Sequence, residues 1–153
     1  YRFLAQMKEY HNPNLDASAW DDIIQKDTLY LCKGQEYEIV LRAKDVIHSA
    51  YFPHFRAQMN AVPGMATRMK FTPNKTTKEM RQEKNEESFN YVLMCNKICG
   101  GAHYKMKMIV VVLDRPAYKK WMDGKKKVTF KDQYFPVAAA PTTPADTTAV
   151  TMN

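Results

Sequence analysis

The chain has 153 residues, of which 45% are hydrophobic and 25% charged, proportions that fit one globular domain with room for a tail and exclude wholesale disorder. Its longest apolar stretch, residues 108–113, falls far short of the ~18–20 apolar residues a membrane-crossing helix needs. Lys and Arg number 23 against 16 Asp and Glu, a formal charge of +7, and three cysteines are too few for a disulfide scaffold.

The chain opens Tyr1-Arg2-Phe3-Leu4, without a starting Met or a signal-peptide pattern, and reads as a piece of something longer. Residues 1–27 are expected to be an N-terminal extension that follows a membrane anchor lying outside the chain; Asn12-Pro13-Asn14 within it signals a turn. Thr28-Leu29-Tyr30-Leu31-Cys32 is rich in strand formers and runs into the turn pair Lys33-Gly34. Tyr37-Glu38-Ile39-Val40-Leu41 follows, so the two are expected to be neighbouring strands. Val46-Ile47-His48 starts another apolar segment, continued by an aromatic stretch to Phe55. Ala61-Val62-Pro63-Gly64 reads as a turn, and residues 65–72 alternate as a half-buried strand does until Pro73 ends them.

Thr76 with Glu79 three residues on has the capping-box pattern of a short polar helix. Residues 88–94 and 106–113 read as two further strands, the second centred on Ile109-Val110-Val111-Val112. Pro116 opens a short helix over 117–122. Many short strands with small helices predict an all-β sandwich or barrel over 28–122. Residues 119–132 hold six lysines against Asp123 and Asp132, a net of +4, and 123–135 is expected to be a basic C-terminal segment. A nucleic-acid site would interleave cations with stacking aromatics over a surface, whereas these cluster near the C-terminal end, where a solvated helix accounts for them, so no nucleic-acid partner is expected. Residues 136–153 have no aromatic and one charge, and are expected to form a disordered low-complexity tail.

The chemistry lies between the last two strands. Cys95-Asn96-Lys97-Ile98-Cys99-Gly100-Gly101-Ala102-His103-Tyr104-Lys105-Met106 places two thiols, an imidazole and a thioether within twelve residues. Thiolate and thioether select soft metals, above all Cu(I), and imidazole also suits Cu(II), which together describe an electron-transfer site. Zinc would accept two Cys and a His, but the thioether of Met106 argues against it. A blue single-copper site would use Cys99, His103, Met106 and a second His; the extra thiol of Cys95 argues against that, because two thiolates can bridge two copper ions. A copper chaperone or thiol oxidoreductase would also use a C-x3-C pair, on an α/β pattern that is not evident here. A further imidazole must come from His11, His48 or His54. His48 ends an apolar segment and can project toward the loop, His54 suits a supporting or surface position, and His11 lies beside a turn. Cys32 reads as a buried strand-end residue.

Three stretches carry a family resemblance: Asp45-Val46-Ile47-His48-Ser49, then Met59-Asn60-Ala61-Val62-Pro63-Gly64, then the loop from Cys95 to Met106. Together they resemble the copper-bearing (CuA) domain of cytochrome c oxidase subunit II, across roughly residues 27–122. The resemblance implies a cupredoxin-like Greek-key β barrel or sandwich with short helical insertions, holding two copper ions. By position, Cys95 and Cys99 would bridge both ions, His48 and Met106 would complete one, and His103 with the backbone carbonyl of Lys97 would complete the other. The implied role is electron transfer within an oxidoreductase, from cytochrome c to a haem of subunit I, with oxygen reduced elsewhere. Implied partners are subunit I, the other oxidase subunits, and cytochrome c or a bound or fused c-type cytochrome. The implied place is the periplasmic face of a bacterial inner membrane, or the equivalent intermembrane-space face.

The copper domain of nitrous oxide reductase uses a similar loop, attached to a large propeller for which 153 residues have no room. Quinol oxidases share the fold without the ligands. The family usually has Glu where this chain has Lys97; the carbonyl survives the change, but a cationic side chain cannot ligate the family's magnesium. Neither Trp20 nor Trp121 lies in the family's electron-entry context, so no entry residue is assigned. The net basic charge points to a donor less basic than the family's usual one, or to one held nearby.

Overall fold

The computed structural model describes residues 27–125 together with Ile23 and Gln25. The expected tail at 136–153, residues 126–135 of the basic segment, most of the expected N-terminal extension, His11 and Trp20 lie outside the described residues. In chain order the strands are β1 (Thr28–Cys32), β2 (Tyr37–Leu41), β3 (His48–Phe52), β4 (Ala57–Ala61), β5 (Thr67–Phe71), β6 (Tyr91–Met94) and β7 (Lys107–Leu113). Helix α1 (Thr77–Lys84) precedes β6, and α2 (Arg115–Lys125) follows β7.

The apolar alternation of β7 sets the architecture. Met108, Val110 and Val112 are buried while Lys107 and Ile109 face out, the pattern of a strand with one face on a core. β7 pairs with β1 in parallel, Thr28 opposite Ile109, and with β6 antiparallel, Tyr91 opposite Val110. The order β1-β7-β6-β3-β4 makes a five-stranded sheet, and β2 pairs with β5 as a second sheet of two strands. Leu29, Leu31, Phe52, Leu93 and Val110 of the large sheet share one buried cluster with Tyr37, Leu41 and Met69 of the small one.

Several sequence expectations shift. β1 and β2 are consecutive but not paired, each lying in a different sheet. The turn explains it: the Lys33 N–H donates to Leu113 O (2.8 Å) and the Gly34 N–H to Pro73 O (2.8 Å), so the backbone that a hairpin would use is already taken. Gly34, at φ +76°, supplies the left-handed turn. His48 begins a strand rather than ending one; Val46 and Ile47 before it are exposed. β4 was not anticipated, since Ala57-Gln58-Met59-Asn60-Ala61 has little strand propensity; its pairing with β3, Phe52 opposite Ala57 and His48 opposite Ala61, forms it. β6 starts at Tyr91, later than its apolar run suggests, and α2 is longer than the span 117–122 expected.

An aromatic cluster joins the two sheets. The Phe52 and Phe71 rings lie 4.9 Å apart, and Phe55 sits between Phe71 (5.1 Å) and Tyr91 (4.6 Å). The capping box is present in full: Thr76 Oγ1 accepts from the Glu79 N–H (3.1 Å), and Glu79 Oε2 accepts from the Thr76 N–H (2.7 Å). Thr77 Oγ1 accepts from the Val112 N–H (2.9 Å), which ties α1 to β7. On the other flank, Trp121 of α2 stacks on Tyr30 of β1 at 4.7 Å. No helix among the described residues is long and apolar enough to cross a membrane.

The pairing brings four strand ends together. β3 begins where β4 ends, and β6 ends where β7 begins, with Met94 opposite Lys107. β3 and β6 are themselves antiparallel neighbours, Tyr51 opposite Met94. The loop from 95 to 106 and the segment leading into His48 therefore share one end of the sheet.

Phe52→Ala is expected to cost about 3–5 kcal/mol in urea unfolding, because it empties the contact between the sheets. Thr76→Ala should cost about 1 kcal/mol. The Lys33 ammonium (2.6 Å) and the Thr76 N–H hold Glu79 down from 4.5 to about 2. A lowered carboxylate stabilises the fold above its ordinary value, so this contribution is present above pH 4.5 and fades as pH falls toward 2. Glu79→Gln should flatten the loss of thermal stability over that interval.

Candidate metal centre

The β6–β7 pair closes the base of the loop, and the Cys95 N–H adds a hydrogen bond to Met106 O (3.1 Å). The first and last donors of the loop are thereby set side by side at the sheet end, both buried. Within the loop the chain reverses through Gly100, whose φ of +135° suits glycine alone, and a single 3-10 turn (His103–Lys105) returns it. The His103 N–H donates to Gly100 O (3.1 Å) and the Met106 N–H to His103 O (3.1 Å), fixing the turn that presents His103.

The side chains converge on sulfur. Cys95 Sγ and Cys99 Sγ are 3.9 Å apart. Cys99 Sγ lies 3.5 Å from His103 Nδ1 and 3.2 Å from Met106 Sδ. Cys95 Sγ lies 3.2 Å from the backbone oxygen of Lys97, while the Lys97 side chain is exposed. His48 arrives from the neighbouring strand: its ring nitrogen and the two thiols lie within 4.8 Å of one another. His48 and Cys95 are buried and Cys99 is half-buried. The three cysteines are all free thiols. Desolvation, then the hydrogen bond and charge of Cys95, then the Asp45 carboxylate push the Cys99 thiol up.

One supporting residue had no role in the sequence reading. Asp45 Oδ1 lies 2.9 Å from His48 Nε2. The hydrogen bond from His48 pulls the Asp45 carboxyl below its ordinary range, so Asp45 is an acceptor and Nε2 carries the proton. That tautomer leaves Nδ1 as the nitrogen with a lone pair. The i, i+3 spacing of a carboxylate and an imidazole just before a strand was the available signal. Ser49, next to His48, donates its buried N–H to Cys95 Sγ (3.5 Å).

The other candidates lie elsewhere. His54 sits in the one-turn helix after β3, its ring edge-on to Phe89 (5.0 Å) and Tyr91 (5.6 Å), and desolvation lowers its pKa. Cys32 is fully buried at the end of β1, where its N–H donates to the Tyr37 hydroxyl (2.7 Å). Two thiols, a thioether and imidazole within this span are a soft donor set with borderline nitrogen, which fits copper in both of its common oxidation states.

The class defined by this fold and donor set is a two-sheet β protein with a copper-suited sulfur and imidazole cluster at one end. No family model matches the chain. It is 33% identical over 106 residues to the alternative cytochrome c oxidase subunit 2 of Bradyrhizobium diazoefficiens, a match covering 69% of this chain and 34% of the relative. It is 31% identical over 102 residues to cytochrome c oxidase subunit 2 of Thermostichus vulcanus, covering 66% and 27%. Its fold is similar to the crystal structure of the periplasmic domain of subunit II of cytochrome oxidase of Bradyrhizobium japonicum, with a TM-score of 0.54, 20% identity, and coverage of 68% of this chain and 66% of that one. The chain belongs to the cytochrome c oxidase subunit 2 family, and its all-β fold is the cupredoxin-like one expected. It spans about a third of the length of the curated relatives it matches.

Asp45→Ala is expected to weaken Cu(I) uptake by about tenfold or more, read by competition with a chromophoric chelator. An unchanged affinity would show that His48 is held without the carboxylate.

Proposed function

We propose that this chain is the copper-bearing electron-transfer domain of subunit II of a haem-copper terminal oxidase, with residues 28–122 as the domain. The observation that carries this reading is the convergence of Cys95, Cys99, His103 and Met106 from one loop with His48 from the adjacent strand. In this reading the thiols of Cys95 and Cys99 would be common to two copper ions. His48 and Met106 would help to hold one ion, and His103 and the backbone carbonyl of Lys97 the other.

When bound, the copper pair supplies a one-electron relay whose extra electron is spread over both ions. The protein's part is to keep its donors in place. The β6–β7 ladder, the Cys95–Met106 hydrogen bond and the Gly100–His103 turn restrain the loop, so the donor cage changes little with oxidation state. Asp45 fixes the His48 tautomer, and the Ser49 N–H steadies the Cys95 sulfur. Lys97 presents an ammonium where magnesium requires oxygen donors, so no magnesium is proposed.

The proposed partners are subunit I as acceptor on the His103 side and a c-type cytochrome as donor. The proposed place is the periplasmic face of a bacterial inner membrane or its intermembrane-space equivalent. A thiol oxidoreductase on an α/β frame is not favoured, because the thiols here sit on a β sandwich beside a thioether.

Electron spin resonance of the copper-loaded chain is expected to show hyperfine structure from two equivalent copper nuclei, in a purple protein. Cys95→Ser should abolish that signal and Cys32→Ser should leave it intact. A blue single-copper spectrum would overturn the binuclear reading.

A further inference from the structure

The hydrogen bond on the Cys95 sulfur has a second link behind it. β3 is laddered to β4 along its whole length, from His48 opposite Ala61 to Phe52 opposite Ala57. It meets β6 at one pair, Tyr51 opposite Met94, after which β6 ends. Amides alternate from side to side along a strand, so the Ser49 N–H points the same way as that of Tyr51. Past the end of β6 it meets the Cys95 sulfur (3.5 Å), where a longer strand would offer a carbonyl. The thiol stands in for a ladder acceptor, and its distance from the amide is set by how this stretch of β3 lies.

The Ser49 side chain is fully buried, and a hydroxyl there needs a partner. Gln58 Nε2 donates to Ser49 Oγ (3.1 Å). Gln58 lies on β4 opposite Tyr51, and the residue opposite Ser49 is Asn60. The Gln58 side chain therefore leans diagonally across the ladder, toward the donor end, to reach the serine. Gln58 itself is exposed, so core packing does not dictate this contact. Ser49 is held from two sides, by its N–H on the sulfur and by its hydroxyl on β4. The Cys99 sulfur has different neighbours, the His103 ring nitrogen (3.5 Å) and the Met106 sulfur (3.2 Å).

An N–H donated to a metal-bound sulfur draws charge off it and favours the reduced state, in which the sulfur is more electron-rich. The attraction falls with distance, so a small displacement of the strand changes it. We propose that Gln58 is a positioning residue that tunes the centre. By anchoring the Ser49 hydroxyl to β4, it sets the approach of the Ser49 N–H to the Cys95 sulfur, and with it the ease of accepting an electron. This rests on the electron-transfer reading above, and it gives a role to a strand that contributes no donor.

The test replaces Gln58 with Met, which keeps the reach and cover of the side chain and removes its N–H. In the full chain without metal, isotope-edited NMR should show the Ser49 amide proton moving upfield and its protection from hydrogen exchange falling about tenfold. Asn60→Ala, on the same face of β4, should leave both unchanged. The copper-loaded chain is then equilibrated with hexaammineruthenium, which exchanges one electron and no proton. Gln58→Met should shift that balance about threefold toward the oxidised centre, with the form of the electron spin resonance pattern kept because every donor is still present. Ser49→Ala should shift it the same way, and the double variant no further than Ser49→Ala alone. Additive shifts, or a balance unmoved by Gln58→Met in a chain that exchanges electrons, would overturn the tuning role and leave the electron-transfer reading standing. A Ser49 amide that stays in place would overturn the positioning step. A copper-loaded parent chain that takes no electron from the reduced mediator would overturn the electron-transfer reading and the tuning role with it; the amide response, read without metal, is independent of that result.

Discussion

The hydrogen bond from the Cys95 N–H to Met106 O, at the base of the β6–β7 ladder, is the constraint on which the site depends. It closes a loop with a donor at each end. Once residues 95 and 106 are neighbours, a reversal through Gly100 and one 3-10 turn bring Cys99 and His103 back over them. Flexible side chains could approach in many ways. A closed loop on a rigid ladder leaves few, and that restraint keeps the two thiols, the imidazole and the thioether within reach of one another.

The same ladder links the site to the core. β7 is paired on both sides, with β1 and β6, and its inward residues Met108, Val110 and Val112 pack in the cluster shared by both sheets. β3 contributes to both regions within five residues: His48 at the donor cluster, and Phe52 at the aromatic contact that joins the sheets. The position of the imidazole is therefore tied to packing at the other end of its own strand. The helices are peripheral by comparison. α1 is held by its capping box and by Thr77 on β7, and α2 by Trp121 on Tyr30.

Charge acts at two scales. The chain's +7 is a property of the whole sequence and says little about recognition. At the donor end the described cations are drawn from two connections far apart in the chain, 42–47 and 95–106, and from Lys107 at the start of β7, collected by the strand order beside the exposed Ile98 and Tyr104. The lysines at 119 and 120 lie beyond the far end of β7, on α2. One excess of charge thus divides into a face around the donors and a helix away from them.

The donor loop was legible in the sequence because its chemistry is local. Two thiols, an imidazole and a thioether within twelve residues, between two strand-like runs, can meet whatever the rest of the fold does. The capping box of α1 and the strands β1, β2, β5 and β7 were legible for the same reason, each resting on nearest-neighbour patterns. What the sequence could not decide was pairing. β1 and β2 are adjacent in sequence yet lie in separate sheets, because the turn's N–H groups are taken by Leu113 and Pro73. β4 exists only because β3 supplies its ladder. His48 was already preferred to His54 in the sequence; in the fold the first begins β3 at the donor end, while the second lies against Phe89 and Tyr91 past its far end. The sequence by itself determined which atoms were available to a metal. The tertiary structure decided which of them meet, because distances across a sheet depend on strand order and register, to which no local pattern gives access.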